Sequence, residues 1–197
     1  MKHSKLLILS FISSLLIILV TFFQWDLVDA ITEFLMLPVW LVVYAFFIII
    51  TVCTLIHLFK TKKWQPLAIQ LIAIVLWIYF PFNQVNLDLN FKMHQNKREE
   101  VAAKIENRII KPNVPHSPSL IQLPKDYRGL SKGGGEVVLE TKGKTRSILF
   151  FTYRGMPDGF SGFVYNPNDD RPLKSDFDGD IKEIERVHKN WYYVSSD

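Results

Sequence analysis

Three long apolar runs fill most of residues 1–83, and no other feature limits this chain's possible folds as strongly. The first is Leu6–Phe23 (LLILSFISSLLIILVTFF). The second is Phe34–Phe59, which contains VWLVVYAFFIIITVCTLIHLF, and the third is Gln65–Phe82 (QPLAIQLIAIVLWIYFPF). A helix needs ~20 apolar residues to cross a ~30 Å hydrocarbon core, and each run approaches or exceeds that length. The pattern therefore predicts an all-α membrane part with three transmembrane helices, at residues 6–23, 34–59 and 65–82. The third run is the shortest and carries Gln70. Trp64, Trp77 and Tyr79 lie near its ends, where interfacial aromatics anchor a span.

The first run has a basic start, and Val28-Asp29-Ala30 faintly resembles a small-residue cleavage site. Its apolar core of about 18 residues exceeds the 7–15 of a signal peptide, so it reads as an uncleaved span. Orientation follows from Lys and Arg. Lys2 and Lys5 precede the first run, and Lys60, Lys62 and Lys63 separate the second and third. The intervening segment holds Asp26, Asp29 and Glu33 and no basic residue. The positive-inside rule then puts the N-terminus in the cytoplasm and residues 84–197 outside. Short loops and the lack of an Asn-x-Ser/Thr acceptor point to a bacterial plasma membrane. Asp26, Asp29 and Glu33 recur at i, i+3 and i+7, one face of a helix, and read as a solvated face more than a cation site. His57 reads as an interfacial side chain, and Cys53 as a small apolar one.

Beyond residue 83 the composition changes. That stretch carries 18 Lys+Arg and 16 Asp+Glu, interspersed throughout. Nucleic-acid binders gather their basic residues on one face or in a run, so the overall charge of +4 does not imply a nucleic-acid partner. The single cysteine, Cys53, lies in an apolar run, so the polar part has no internal disulfide and no cysteine-based zinc site.

In the polar part Val85, Leu87, Leu89 and Phe91 alternate as a strand would. Lys97–Ile110 reads as helix, with Val101, Ile105 and Ile109 on one stripe. Pro112, Pro115 and Pro118 then make a linker of Lys111–Ser119. Short β-like runs follow at Leu120–Leu123, Gly135–Glu140, Arg146–Arg154, Phe160–Tyr165 and Trp191–Val194. Met156-Pro157-Asp158-Gly159 reads as a turn. Ile181–Val187 stays open between strand and helical turn. The expected organisation is a membrane domain over 1–83, a helix and Pro-rich linker over 84–118, and an external antiparallel β domain over 119–197. The fold class is thus a membrane all-α part followed by a small α+β domain, one helix packed on an antiparallel β-meander. A membrane helix leading into such a sheet resembles the pilin-like arrangement in architecture. The chain has no prepilin-type processing site, and it has three spans where a pilin has one.

Asp176, Asp178 and Asp180 alternate along one loop, with Asn166, Asn168, Asp169 and Asp170 just before. Hard cations such as Ca²⁺ take six to eight oxygen ligands, so this is the candidate metal site, although its Gly179 and Val187 depart from the EF-hand pattern. Ser131-Lys132-Gly133-Gly134-Gly135 is glycine-rich, but a phosphate-binding P-loop places its lysine after the glycines and before a helix. It reads as a hairpin connection. Gly159-Phe160-Ser161-Gly162-Phe163 superficially resembles a nucleophile elbow but ends in Phe163. Aromatic residues are dense. Part of them fills the core, and Phe151, Tyr153, Phe160, Tyr165, Tyr192 and Tyr193 form a candidate interaction surface.

With no catalytic cluster, the sequence points to a non-enzymatic multi-pass protein in the lipid bilayer. Its external domain would serve protein interaction or sensing at the cell envelope, with an envelope protein as partner and no cofactor other than a possible Ca²⁺. Two alternatives stand beside it. One is an envelope hydrolase built on Ser161, with His188 and Asp178 as conceivable partners, or a metal enzyme at Asp176–Asp180. The other is an immunity-type or small transport component.

Overall fold

The computed structural model describes residues 3–143, 145–155 and 159–196, apart from the Glu33 side chain. The predicted turn residues Met156, Pro157 and Asp158, and Lys2, lie outside the described residues. The chain divides into two compact units, Met1–Asn86 and Leu87–Asp197.

The first unit is helical: α1 (His3–Phe22), α2 (Gln24–Ile31), α3 (Glu33–Thr61), α4 (Gln65–Tyr79) and the start of α5 (Phe82–Glu106). Leu6, Ser10, Ser13, Ser14 and Ile17 are the buried residues of α1. Their spacing of three and four makes one stripe, and α1 packs on both α3 and α4. A small apolar cluster of Ile17, Val43, Phe47 and Ala73 joins the three helices. Large apolar residues face outward, among them Phe11, Leu41, Ile48, Ile72 and Ile78. Two helices, α1 and α3, are long and apolar enough to cross a membrane, and α4 joins them only if counted with α5 across the bend between them.

Two expectations need correction in this unit. Thr32 takes φ +73°, and α2 ends there. Asp26, Asp29 and Glu33 therefore do not share one continuous helix. The third apolar run also does not stay helical to Phe82. Phe80 precedes Pro81 and is extended, with φ −84° and ψ 126°, as the proline ring demands. Helix α4 is thus 15 residues, roughly 22 Å at the usual rise. Beyond the break the chain is tied back to α1 and α2. Trp25 Nε1 and Gln24 Nε2 both donate to Asn83 Oδ1, and Asn86 Nδ2 donates to the Phe22 carbonyl at 3.0 Å.

The alternation of Val85, Leu87, Leu89 and Phe91 belongs to α5 and not to a strand. Leu87 and Phe91, four apart, pack into the core, while Leu89 is exposed. The helix stops at Glu106, short of the expected Ile110. Arg108 turns left-handed at φ +59°, and the Ile109 and Ile110 amides both return to the Lys104 carbonyl.

The second unit is an antiparallel sheet of six strands, one helix lying on it. The strands are β1 (Leu120–Gln122), β2 (Glu136–Lys142), β3 (Thr145–Arg154), β4 (Phe160–Tyr165), β5 (Glu183–His188) and β6 (Trp191–Ser195), in the order β1-β2-β3-β4-β6-β5. It runs as the expected meander through β4. Then β6 inserts between β4 and β5, and the open segment Ile181–Val187 supplies edge strand β5.

Both sheet faces are covered. Against α5 lie Val137, Ile148, Phe150, Phe163 and Trp191, packed on Phe91, Val101 and Ile105. On the other face Leu149, Phe151, Phe160, Val164 and Val194 pack on Ile181 and Phe177, both from the long connection between β4 and β5. At Gly162 on β4 the neighbouring strand β3 leaves no room for a side chain. A Cβ there would sit 2.3 Å from the Phe150 carbonyl oxygen and 2.7 Å from Leu149 Cδ1. Packing at that distance accounts for Gly162 without a nucleophile elbow.

Candidate functional site

The acidic loop is organised by a lysine. Asp176 is buried in a short 3₁₀ turn, Asp176–Asp178, where Lys142 Nζ from the end of β2 forms an ion pair with its Oδ1. Its Oδ2 accepts the Leu173 amide at 3.0 Å. Glu140, two residues before Lys142, accepts the Phe177 amide at 2.6 Å. Burial pushes the Glu140 carboxyl above its usual value, and Asp176 and Asp178 add to that. The Phe177 amide and Lys142 pull the other way. Asp178 and Asp180 are exposed. The three aspartates of the candidate metal site therefore differ in kind, one spent on an internal ion pair and two at the surface. Among the described residues no group of three His, Cys, Asp or Glu is placed to hold a metal ion.

This arrangement gives a direct test. Lys142→Met would leave the buried Asp176 carboxylate with the Leu173 amide alone. Lys142 is itself half exposed, so solvent screens part of the pair, and the expected loss is about 1–2 kcal/mol. Urea midpoints of wild type and variant, with and without millimolar Ca²⁺, measure it. The expected result is a loss that Ca²⁺ does not restore, and restoration would revive the loop as a cation site.

Ser161 is buried, and its Oγ lies 2.9 Å from Thr152 Oγ1. Its neighbours in register are Ser195 on β6 and, beyond it, Glu183 on β5. His188 is at the other end of β5, opposite Trp191, which itself pairs with Tyr165. Four residues along a strand separate the two positions by roughly 13 Å, before the width of the intervening strand is added. Asp178 follows Phe177, whose ring packs on the opposite sheet face from Phe163. The fold does not bring Ser161, His188 and Asp178 together.

The glycine-rich segment is a connection. Gly133, Gly134 and Gly135 have φ of +68°, +90° and +81°, and strand β2 follows directly at Glu136. A Cβ on Gly135 would lie 2.8 Å from the Arg128 Cα, so this turn requires glycine. Ser131 Oγ closes it, donating to the Glu136 carbonyl at 2.5 Å and accepting the Phe151 amide at 2.8 Å.

Of the candidate interaction surface, Phe151, Phe160 and Tyr192 are buried. The first two belong to the cluster under Ile181 and Phe177, and the Tyr192 hydroxyl donates to the Asp169 carbonyl at 2.7 Å. Tyr153, Tyr165 and Tyr193 are half-buried, and Tyr165 and Tyr193 pack against the α5-side core. The six rings are thus divided between two sheet faces.

Two buried polar centres stand out instead. In the first unit Gln70 is buried where three helices meet. Its Nε2 donates to Ser13 Oγ at 2.7 Å and to the Ser10 carbonyl at 3.1 Å, and its Oε1 accepts Thr51 Oγ1 at 2.9 Å. At one end of that unit His3 Nδ1 and His57 Nε2 are 3.2 Å apart with their rings stacked, so His57 has a specific partner where the sequence suggests only an interfacial residue.

In the second unit Arg98 is buried on α5. Its guanidinium donates to the Leu130 carbonyl (3.2 Å from Nε), the Asn90 carbonyl (3.3 Å) and Asn90 Oδ1 (2.6 Å), and lies 4.8 Å from the Phe163 ring centre. No carboxylate pairs with it among the described residues, and burial lowers its pKa to about 10. Burial, with Arg98, Lys97 and Lys132 nearby, also holds His94 below the usual imidazole value. Sequence reading passed over Arg98 as one charge among many. The signal was its spacing, seven residues from both Phe91 and Ile105 on the buried stripe.

No protein-family model matches the chain, and no curated protein or solved structure is detectably similar to it.

Proposed function

We propose that the chain is a multi-pass protein of the cell membrane that presents its six-stranded unit outside the cytoplasm for protein interaction or sensing, without catalysis of its own. One observation carries the membrane part of this reading: the first unit is inside-out relative to a water-soluble bundle. Ser10, Ser13, Ser14, Thr54 and Gln70 are buried, while Ile8, Phe11, Leu41, Ile48, Ile72 and Ile78 face outward. An apolar surface of that extent is stable only against lipid or another apolar partner. Orientation rests on Lys5, Lys60, Lys62 and Lys63 at one set of helix ends and the acidic residues of α2 at the other. The non-enzymatic part rests on the separation of Ser161, His188 and Asp178 and on the pairing of Asp176 with Lys142.

The test is to fuse, after Asp197, either a phosphatase active only outside the cytoplasm or a fluorescent protein that folds only inside. Phosphatase activity without fluorescence is the expected result. Fluorescence without phosphatase activity would overturn the orientation or the number of spans, and would move the search to intracellular ligands.

A further inference from the structure

The sheet face under α5 continues past the end of the helix. On β2 and β3, Thr141 and Arg146 are opposite each other in register and on the same face as Leu139 and Ile148. Helix α5 stops at Glu106, so nothing helical covers this last pair. Two adjoining clefts of about 410 and 430 Å³ open there, both lined by Arg108, Thr141 and Arg146. Lys111 adds a third cation to the larger, whose walls are otherwise apolar, with Ile110, Pro112 and Leu139.

The chain has seven arginines. Arg98, Arg128 and Arg171 donate to carbonyl oxygens, and Arg154 and Arg186 pair with Glu136 and Asp169. Among the described residues Arg108 and Arg146 alone have no side-chain partner, and both line this opening. Lys111 likewise has none. One carboxylate, Glu106, shares the lining. Three cations less one anion leave a local charge of +2. The helix end does not offset it, since the carbonyls of Ala103, Lys104 and Ile105 are taken by the amides of the following turn. That turn also holds Arg108 in a left-handed conformation unusual for arginine.

We propose that this cleft is a binding site for a small organic phosphate, its phosphoryl group held by Arg108, Arg146 and the Thr141 hydroxyl and its apolar part against Ile110 and Leu139. Guanidinium forks match phosphate oxygens in pairs, and a local charge of +2 suits a dianionic phosphoryl group better than a carboxylate. Each cleft has the volume of a small-molecule site. The assignment deepens the sensing role proposed above and depends on it only for which side of the membrane supplies the ligand.

Calorimetry on the full-length protein in neutral detergent tests it, with phenyl phosphate as the free phosphate, glycerophosphoglycerol as a lipid-headgroup surrogate, and benzoate as the monoanionic comparison. Saturable binding of phenyl phosphate is expected, weaker for benzoate, and weakened about tenfold or more by R108Q or R146Q, whereas K189Q leaves it unchanged. Arg108 is exposed, so R108Q keeps the test independent of folding. Binding of both phosphates, lost in R108Q, would add a lipid headgroup as a second source for the same site, whereas binding of glycerophosphoglycerol, a monoanionic diester, without phenyl phosphate would overturn the assignment of a dianionic phosphoryl group. No saturable binding of either phosphate at millimolar concentration, or binding unchanged in both variants, overturns the proposal. Since the protein is purified, a negative result condemns the cleft and leaves the orientation to the reporter fusions.

Discussion

Replacing Arg98 by alanine is expected to destabilise the sheet unit by about 3–5 kcal/mol, enough to unfold a domain of ordinary stability. Three losses combine. The buried stem leaves a cavity between α5 and the sheet. The Leu130 carbonyl, which accepts from both Nε and Nη2, loses both donors, and an orphaned buried acceptor costs about 1–3 kcal/mol. The contact with the Phe163 ring is lost as well. Relief of burying a charge works against these, as the lowered Arg98 pKa records. Comparing alanine with methionine separates the terms. Arg98→Met restores most of the volume and removes the charge, so it should cost less than Arg98→Ala. If methionine were as stable as wild type, the guanidinium would contribute nothing net and the site would be ordinary core. Urea-dependent proteolysis suits the measurement, since Trp191 is the only tryptophan beyond residue 83 and four others would dominate whole-chain fluorescence.

The same residue shows where sequence reading reached its limit. Strand β4 was legible to the residue at Phe160–Tyr165, and β3 and β6 to within one, because their runs are dense in aromatic and β-branched side chains and bounded by turns. Strand β5 was not. Ile184 and Val187 are three apart and suggest a helical turn, yet in an edge strand covered on both sides they join opposite clusters. The start of α5 misled for a related reason. Leu87, Leu89 and Phe91 alternate over too short a stretch to separate the two periods, and only packing shows Leu89 outside. Of the candidate sites, the residue types were legible and their pairings were not. Asp176 could be named from its loop, but Lys142 meets it from 34 residues away. Arg108 and Arg146 drew no notice, because what distinguishes them is the lack of a partner, which only a folded chain can reveal.

Gln70→Leu is expected to loosen the first unit by roughly 2–5 kcal/mol, the range for three interhelical hydrogen bonds between the ~0.6 kcal/mol average and the ~1.7 kcal/mol maximum of such bonds in bilayers. Leucine nearly matches the volume, so the loss is chiefly polar. Ser13 Oγ would keep its bond to the Ser10 carbonyl at 3.1 Å, and Thr51 Oγ1 its bond to the Phe47 carbonyl at 2.8 Å, which caps the effect at the upper figure. What disappears is the link between helices: Gln70 on α4 joins α1 through Ser10 and Ser13 and joins α3 through Thr51. Four of the five tryptophans lie in residues 1–83, so their fluorescence during titration with sodium dodecyl sulfate follows this unit. A clear drop in midpoint is expected for Gln70→Leu and almost none for Leu71→Ala, since Leu71 is exposed at 53%. The outcome also bears on transport. A residue whose donors and acceptor are spent on neighbouring helices is a clasp, and a transport path would need it free to meet a passing ion. If Gln70→Leu left the midpoint unchanged while altering ion flux in reconstituted vesicles, the clasp reading would fall and a transport role for this unit would take its place.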